Sequence, residues 1–442
     1  MEPVDTLIQA GWIIPVAPPG ELLDDGVLAI RDGRIVAVCQ RKEAEARFRA
    51  AEIVRLPEHA LIPGLVNAHT HAAMTLLRGI ADDVPLMEWL NEHIWPREVR
   101  WVDADFVRSG TKLAIAEMLR SGTTCFADMY FYADAAWEAV KQTGIRAALG
   151  LIFVDFPTPW ARCPEEYFTK NLDLLRRYPA DDQIRWLLAP HAPYSVSDAM
   201  FARIAELSRD RGLKVHIHLH ETEVEIHESL DRYDERPFAR LERLGLVSDR
   251  LLAVHMVHLT EAEIEQIAER RVNIVHCPES NLKLASGFCA TARLRDAGVS
   301  LALGTDGAAS NNDLNLIGEM RTAALIGKAV AADPEVLAAA EVLEMATLGG
   351  ARALGMDDCI GSLEPGKYAD ITAIDLSQPE TQPLYDPISQ IVYAASRHQV
   401  TDVWIGGRRL LQAGRLTNLD WPAVRREVAA WQSRLAQPLE LE

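Results

Sequence analysis

Hydrophobic residues along this chain fall into short runs, and the spacing between them changes twice from one end to the other. Residues 6–14, 27–30 and 34–38 are compact apolar or alternating stretches, the last two joined through Asp32-Gly33, a turn pair that hairpins favour. They predict β-strands. From residue 61 onward, short apolar runs alternate with amphipathic stretches at helical spacing, the pattern of repeated βα units around a parallel sheet. In one such unit Asp103 caps a helix running to about residue 121, Gly122 stops it, and residues 123–127 supply the next buried strand. Further strands are expected at 145–153, 184–189, 214–219, 251–256, 273–277 and 300–305. With the run ending at Ala68 they make about eight parallel strands, the number that closes a (β/α)8 barrel.

After a helical region at 334–348, strand texture returns at 369–374 and 403–405, with Ile405-Gly406-Gly407-Arg408 as a turn. Neither chain end has enough strands to bury a core alone, so the economical arrangement shares one sheet domain between them. The expected fold class is therefore α/β: a TIM-like barrel over 61–358 and a flanking β-sandwich made from 1–60 and 359–415. A helical tail at 416–442 presents Val424, Val428, Trp431 and Leu435 on one face, which needs a surface to dock on.

A composition of 49% hydrophobic and 25% charged residues over 442 positions excludes disorder and fibrous repeats. Asp plus Glu number 64 against 45 Lys plus Arg, and a formal charge of −19 repels nucleic acid and anionic membranes. The uncharged stretch 61–77 contains Pro63, Gly64, His69 and His71, which argues against a membrane helix. The first residues lack the basic start and apolar block of a signal peptide, and the six cysteines are scattered without a CxxC pair. The expectation is a soluble cytoplasmic enzyme with reduced thiols, assembled as a homo-oligomer, the usual state of soluble assemblies.

The candidate chemistry is concentrated at expected strand ends. His69-Thr70-His71 places two imidazoles two residues apart, on one face of a strand, at the end of the first barrel run. In Lys214-Val215-His216-Ile217-His218-Leu219-His220-Glu221 the three histidines share a face, and imidazoles in a barrel interior need partners: a metal, or hydrogen bonds to neighbouring strands. His255 ends the run 251–256, with His258 as a competitor in the following turn, and Asp306 ends the run 300–305 beside Gly307. Three or four histidines and one aspartate form an N/O ligand set for zinc or iron(II). A second metal in such barrels commonly needs a carboxylated lysine on a middle strand, and neither 145–153 nor 184–189 contains one, so the expectation is one divalent metal per subunit.

With those residues in view, the chain resembles the amidohydrolase superfamily and, within it, the 5-methylthioadenosine/S-adenosylhomocysteine deaminases. Leu61-Ile62-Pro63-Gly64-Leu65-Val66-Asn67-Ala68-His69-Thr70-His71 is similar to the superfamily's first-strand motif, and Gly361-Ser362-Leu363-Glu364-Pro365-Gly366-Lys367-Tyr368-Ala369-Asp370 to its return into the flanking sheet. More discriminating is the stretch from Leu77-Arg78-Gly79 through Pro85-Leu86-Met87-Glu88-Trp89-Leu90 to His93-Ile94-Trp95-Pro96 and Glu98. The resemblance implies His69, His71, His218 and Asp306 as ligands of Zn2+, or of Fe2+. It implies Glu221 and Asp306 in proton transfer and His255 in holding the attacking hydroxide. It further implies Glu98 as the contact for ribose hydroxyls, His191 in Ala189-Pro190-His191 as a purine contact, and Asn281 and Arg162 as pocket residues. Viewed without the resemblance, the alternative for Glu98 is a solvated helix charge. The implied activity is hydrolytic deamination of a small purine nucleoside. Open alternatives are a sibling hydrolase of guanine, an oxidised purine or a chlorotriazine, and a scaffold relative without metal.

Overall fold

The computed structural model describes residues 1–437. They form two eight-stranded sheets. The first is mixed and draws on both ends of the chain. Glu2–Ile13 pairs antiparallel with Leu23–Arg31, which pairs with Arg34–Gln40, and Glu2–Ile13 also runs parallel to the long strand Phe48–Pro63. On its other edge Phe48–Pro63 takes Ile371–Asp375 in antiparallel register, followed by Val400–Ile405, Arg408–Gln412 and Arg415–Leu416. Ile8, Leu28, Val54, Ile371 and Trp404 share one core, so the two chain ends are fused through apolar contact as well as ladder bonds.

Phe48–Pro63 was not visible in the hydrophobic pattern. Glu52, Arg55 and Glu58 interrupt it, and Pro57 argues against a central strand. The sheet accommodates the proline at a register shift between Ala10 and Trp12, where Gly11 lies so close to the Pro57 carbonyl that a Cβ would collide with it.

The second sheet carries the eight expected barrel strands in sequence order: Leu65–Thr70, Thr123–Tyr130, Arg146–Phe153, Ile184–Pro190, Lys214–Leu219, Leu251–His255, Asn273–His276 and Ser300–Leu303. Most of them are buried along their whole length, as parallel strands covered on both faces must be. Across the seam between last and first strand, the Asp306 N–H donates to the His69 carbonyl at 3.1 Å. Ala104–Arg120 is the helix expected after Asp103, whose carboxylate caps it by accepting from the Phe106 N–H. The region expected to be helical at 334–348 begins its helix at Ala339 and continues through a π-helical stretch, Met345–Gly349, into a further α-helical turn ending at Leu354. The terminal helix Trp421–Leu435 buries Val424, Trp431 and Leu435, with Val428 half-buried, and Trp431 meets Phe106 edge to face at 5.3 Å.

By contact clustering the chain forms two compact units, one comprising Met1–Asn67, Ala116–Cys125 and Asn315–Asp420, the other Ala68–Ile115, Phe126–Leu314 and Trp421–Glu442. Every candidate site residue belongs to the second. Among the described residues no helix is long and apolar enough to cross a membrane.

Candidate metal centre and active site

Strand ends converge on one point. His69 is the penultimate residue of the first barrel strand and His71 lies just past its end; His218 is penultimate in the fifth; Asp306 follows the eighth by three positions. His69 Nε2 and His71 Nε2 each stand 3.2 Å from His218 Nε2, and Asp306 Oδ1 lies 3.3 Å from the first and 3.2 Å from the second. All four ligand atoms fall within 4.8 Å of one another, and only His71 is less than fully buried. Donors at about 2.0–2.1 Å from a shared ion are about 2.9 Å apart at a right angle and about 3.4 Å at the tetrahedral angle. The observed spacings fall between these values.

The hydrogen bonds on the far side of each ring complete the test. His71 Nδ1 donates to the Met129 carbonyl at 2.6 Å and His218 Nδ1 to the His191 carbonyl at 2.8 Å. A neutral ring that donates through Nδ1 presents a bare lone pair at Nε2, and facing lone pairs repel unless a cation lies between them. The charge balance states the same demand. Burial would lower the His71 imidazole, but its contact with Asp306 outweighs that and lifts it to about 9. Burial, together with the neighbouring rings, drops His69 to about 4 and holds His218 well below its ordinary value. Burial would raise the Asp306 carboxyl, but His69 and His71 keep it well below the usual carboxylate range. The donor set calls for concentrated positive charge, and it fits a divalent ion.

Asp306 is itself rigidly held. Its Oδ2 accepts from Ser280 Oγ at 2.7 Å and Ser310 Oγ at 3.0 Å, and its Oδ1 from the Gly307 N–H at 2.7 Å. His220, His255 and Asp306 have φ of +54°, +73° and +63°, a left-handed backbone that costs an L-residue energy and recurs where the chain turns sharply to aim a functional group.

Beside this centre lies a cavity of about 220 Å³ whose wall includes His71, His191, His218, Glu221, His255 and Asp306. Glu221 is buried, which raises its carboxyl, and its backbone N–H is held by Glu225 Oε2 at 2.9 Å. Its oxygens reach Ser286 Oγ at 3.4 Å and His255 Nε2 at 3.8 Å. His255 Nδ1 meets Asn281 Oδ1 at 2.8 Å. His191 Nδ1 lies 3.0 Å from Ser195 Oγ, which anchors the ring. Glu98, also in the cavity wall, is buried on the helix Trp95–Trp101 and accepts from Tyr130 Oη at 2.6 Å. Burial pushes the Glu98 carboxyl up to about 7, although Tyr130 opposes the shift.

Two of the expected pocket residues lie elsewhere. Arg162 is 88% exposed and pairs with Glu166, because it stands in an outward loop just before the helix Pro164–Arg177. Asn281 is buried but lies behind His255 rather than in the cavity wall. His220 does not join the cluster: its Nδ1 meets the His258 carbonyl at 3.1 Å and its Nε2 accepts from the Phe238 N–H at 3.0 Å, so it ties loops together. His258 likewise reaches the Ser286 carbonyl at 2.8 Å. The sequence reading did not single out Tyr130, Asp128, Ser280, Ser310 or Glu225. Asp128 accepts from the Ala72 N–H at 2.7 Å and from Thr70 Oγ1 at 3.3 Å, fixing the turn that carries His71. The signal for Tyr130 and Asp128 was their place at the end of the second barrel strand, where site residues gather.

Fold and site together define a (β/α)8 hydrolase-type barrel with three imidazoles and one carboxylate converging at the C-terminal ends of its strands. The amidohydrolase family model matches residues 60–410. A 5-methylthioadenosine/S-adenosylhomocysteine deaminase from Teredinibacter turnerae is 46% identical over 98% of this chain and 98% of its own. An adenosine deaminase from Xanthomonas campestris, solved with bound zinc, superposes with a TM-score of 0.97 at 53% identity, covering 98% of this chain and 99% of the other. An atrazine chlorohydrolase from Arthrobacter aurescens, complexed with zinc, superposes at 0.89 with 26% identity, covering 97% and 100%. The chain belongs to the amidohydrolase family, in its 5-methylthioadenosine/S-adenosylhomocysteine deaminase group.

Proposed function

We propose that this protein is a hydrolytic deaminase that converts the 6-amino group of an adenine nucleoside to a 6-oxo group with release of ammonia, using one Zn2+ held by His69, His71, His218 and Asp306. The observation that carries this reading is the cavity itself: its wall brings Glu221 and His255 together with three members of the donor set, His71, His218 and Asp306, and also includes the buried carboxyl of Glu98. A bound divalent ion would supply a water whose pKa is lowered towards about 7, so that a nucleophile exists at neutral pH.

The chain's own residues divide the remaining work. Glu221, whose carboxyl burial raises, gives a proton to purine N1 as water adds at C6. Asp306 takes the proton that the water gives up. His255 holds the adding oxygen through a hydrogen bond, its ring fixed by Asn281. The proton on Asp306 then passes to the departing amine as the C6–N bond breaks, the proton of the new C6 hydroxyl restores Glu221, and water plus the 6-amino purine nucleoside become the 6-oxo nucleoside plus ammonia. His191 faces the purine, and the free oxygen of Glu98 accepts from the ribose hydroxyls.

The outer wall sets the substrate's other end. Leu86, Trp89, Trp95, Val99 and Phe156 line it, and the cavity residues include no lysine or arginine. This lining suits the uncharged methylthio group of 5′-methylthioadenosine, whose sulfur gains from contact with aromatic rings. The charged amino acid of S-adenosylhomocysteine finds no counter-ion there. Ammonia release from 5′-methylthioadenosine, S-adenosylhomocysteine and guanine, with chloride release from a chlorotriazine, tests the reading. The expected order puts methylthioadenosine first, with the last two inactive; turnover of guanine or the triazine alone overturns it. Absence of zinc from gently purified, folded protein would favour a scaffold instead.

A further inference from the structure

His216 lies two residues before His218 on the same strand, fully buried, and it is not in the cavity wall. Its Nε2 stands 3.0 Å from His69 Nδ1, and the two rings meet edge to face with centroids 4.8 Å apart. Its Nδ1 has no partner among the described residues, so the contact with His69 is the one hydrogen bond its ring makes there. His71 and His218 both donate outward to backbone carbonyls, which are acceptors under all conditions. His69 differs: an imidazole stands where a carbonyl would.

We propose that His216 is a positioning residue for the metal ligand His69, accepting its Nδ1–H and so holding it in the tautomer whose Nε2 lone pair faces the ion. Outer partners of this kind orient the ligand ring and raise its basicity. Without an acceptor at that place, the single proton of neutral His69 moves to Nε2, where Asp306 Oδ1 accepts it at 3.3 Å, and the coordination position is filled by a proton. Ile217, between the two histidines, points into the opposite apolar layer, so His216 and His218 present side by side to the barrel interior. The inference rests on the metal-site part of the reading above and is independent of which substrate is deaminated.

The test is zinc affinity of the full-length protein at neutral pH, measured by competition with a chromophoric chelator. His216→Leu should weaken zinc binding about 10–100-fold, the usual effect of losing an outer partner, while His216→Gln, whose Oε1 accepts, stays within about threefold of the unsubstituted protein. If the leucine variant does not fold, His216→Met, close in size to glutamine but without a strong acceptor, takes its place. Equal affinity in all variants overturns the proposal, as does an equal loss in the leucine (or methionine) and glutamine variants. A protein that binds zinc as expected but deaminates no adenine nucleoside leaves this inference standing and removes the functional one.

Discussion

Glu221 lies in the cavity wall with His255 and Asp306, yet it is suited to a different task, because burial and the Asp306 charge raise its carboxyl while Asp306 is pulled the other way by two imidazoles. Two carboxyl groups with opposed environments are the arrangement by which one site holds an acid and a base together. Glu221→Gln is therefore expected to keep the metal and lose about 10²–10⁴ in turnover, since an amide of the same shape has no proton to give; metal content and kcat measured on one preparation check both halves. Glu98 makes a prediction in pH. Its carboxyl, raised to about 7, is ionised above that value and accepts from two hydroxyls, but is protonated below it. Nucleoside kcat/KM should fall as pH drops through about 7, and Glu98→Gln should flatten that limb. The folded state binds this proton more tightly than the unfolded chain does, so the group's contribution to stability is greatest at low pH and is lost as pH rises through about 7. At this scale the histidines that cluster with Asp306 were legible as candidates because HxH and alternating histidines are local patterns. Tyr130 and His216 were not assigned their roles, because their partners, Glu98 and His69, lie 32 and 147 residues away.

At the scale of elements, the strand ends meet so closely that small residues become necessary. A Cβ at Gly304, just past the last strand, would lie 2.8 Å from His69 Cβ and 2.9 Å from His69 N. Neither is the far end of a flexible side chain. Gly304→Ala should therefore shift the first strand, costing about 1–3 kcal/mol by overpacking and weakening metal binding with it; a thermal melt of the metal-free protein beside a zinc titration measures the two effects. All eight barrel strands were legible because each is a bounded apolar run, the signature of a strand covered on both faces. Phe48–Pro63 was hidden because its stability comes from neighbours on both edges, Glu2–Ile13 and Ile371–Asp375, the latter more than 300 positions distant.

The whole molecule carries a formal charge of −19, and the cavity wall contributes no lysine or arginine to offset it. Anionic substrates are thus opposed at long range and unpaired at short range. Adenosine 5′-monophosphate should be deaminated at least about 100-fold less efficiently than adenosine at low salt, the gap narrowing as salt screens the long-range part; kcat/KM for both at two ionic strengths decides it. The chain by itself determined which residues prefer strand, helix or turn, that the barrel would have eight strands, and which histidines sit at strand ends, since these follow from local spacing and side-chain chemistry. Only the tertiary structure decided which of those histidines meet. His216, His218 and His220 look alike along the sequence, yet one meets the His69 ring, one joins the cluster of three imidazoles and a carboxylate, and one ties two loops. Arg162, placed near the pocket by resemblance, turns outward to Glu166. The reason is geometric: a ligand set, an acid beside a base and an apolar wall are relations among strand ends, and those relations come into being when the barrel closes.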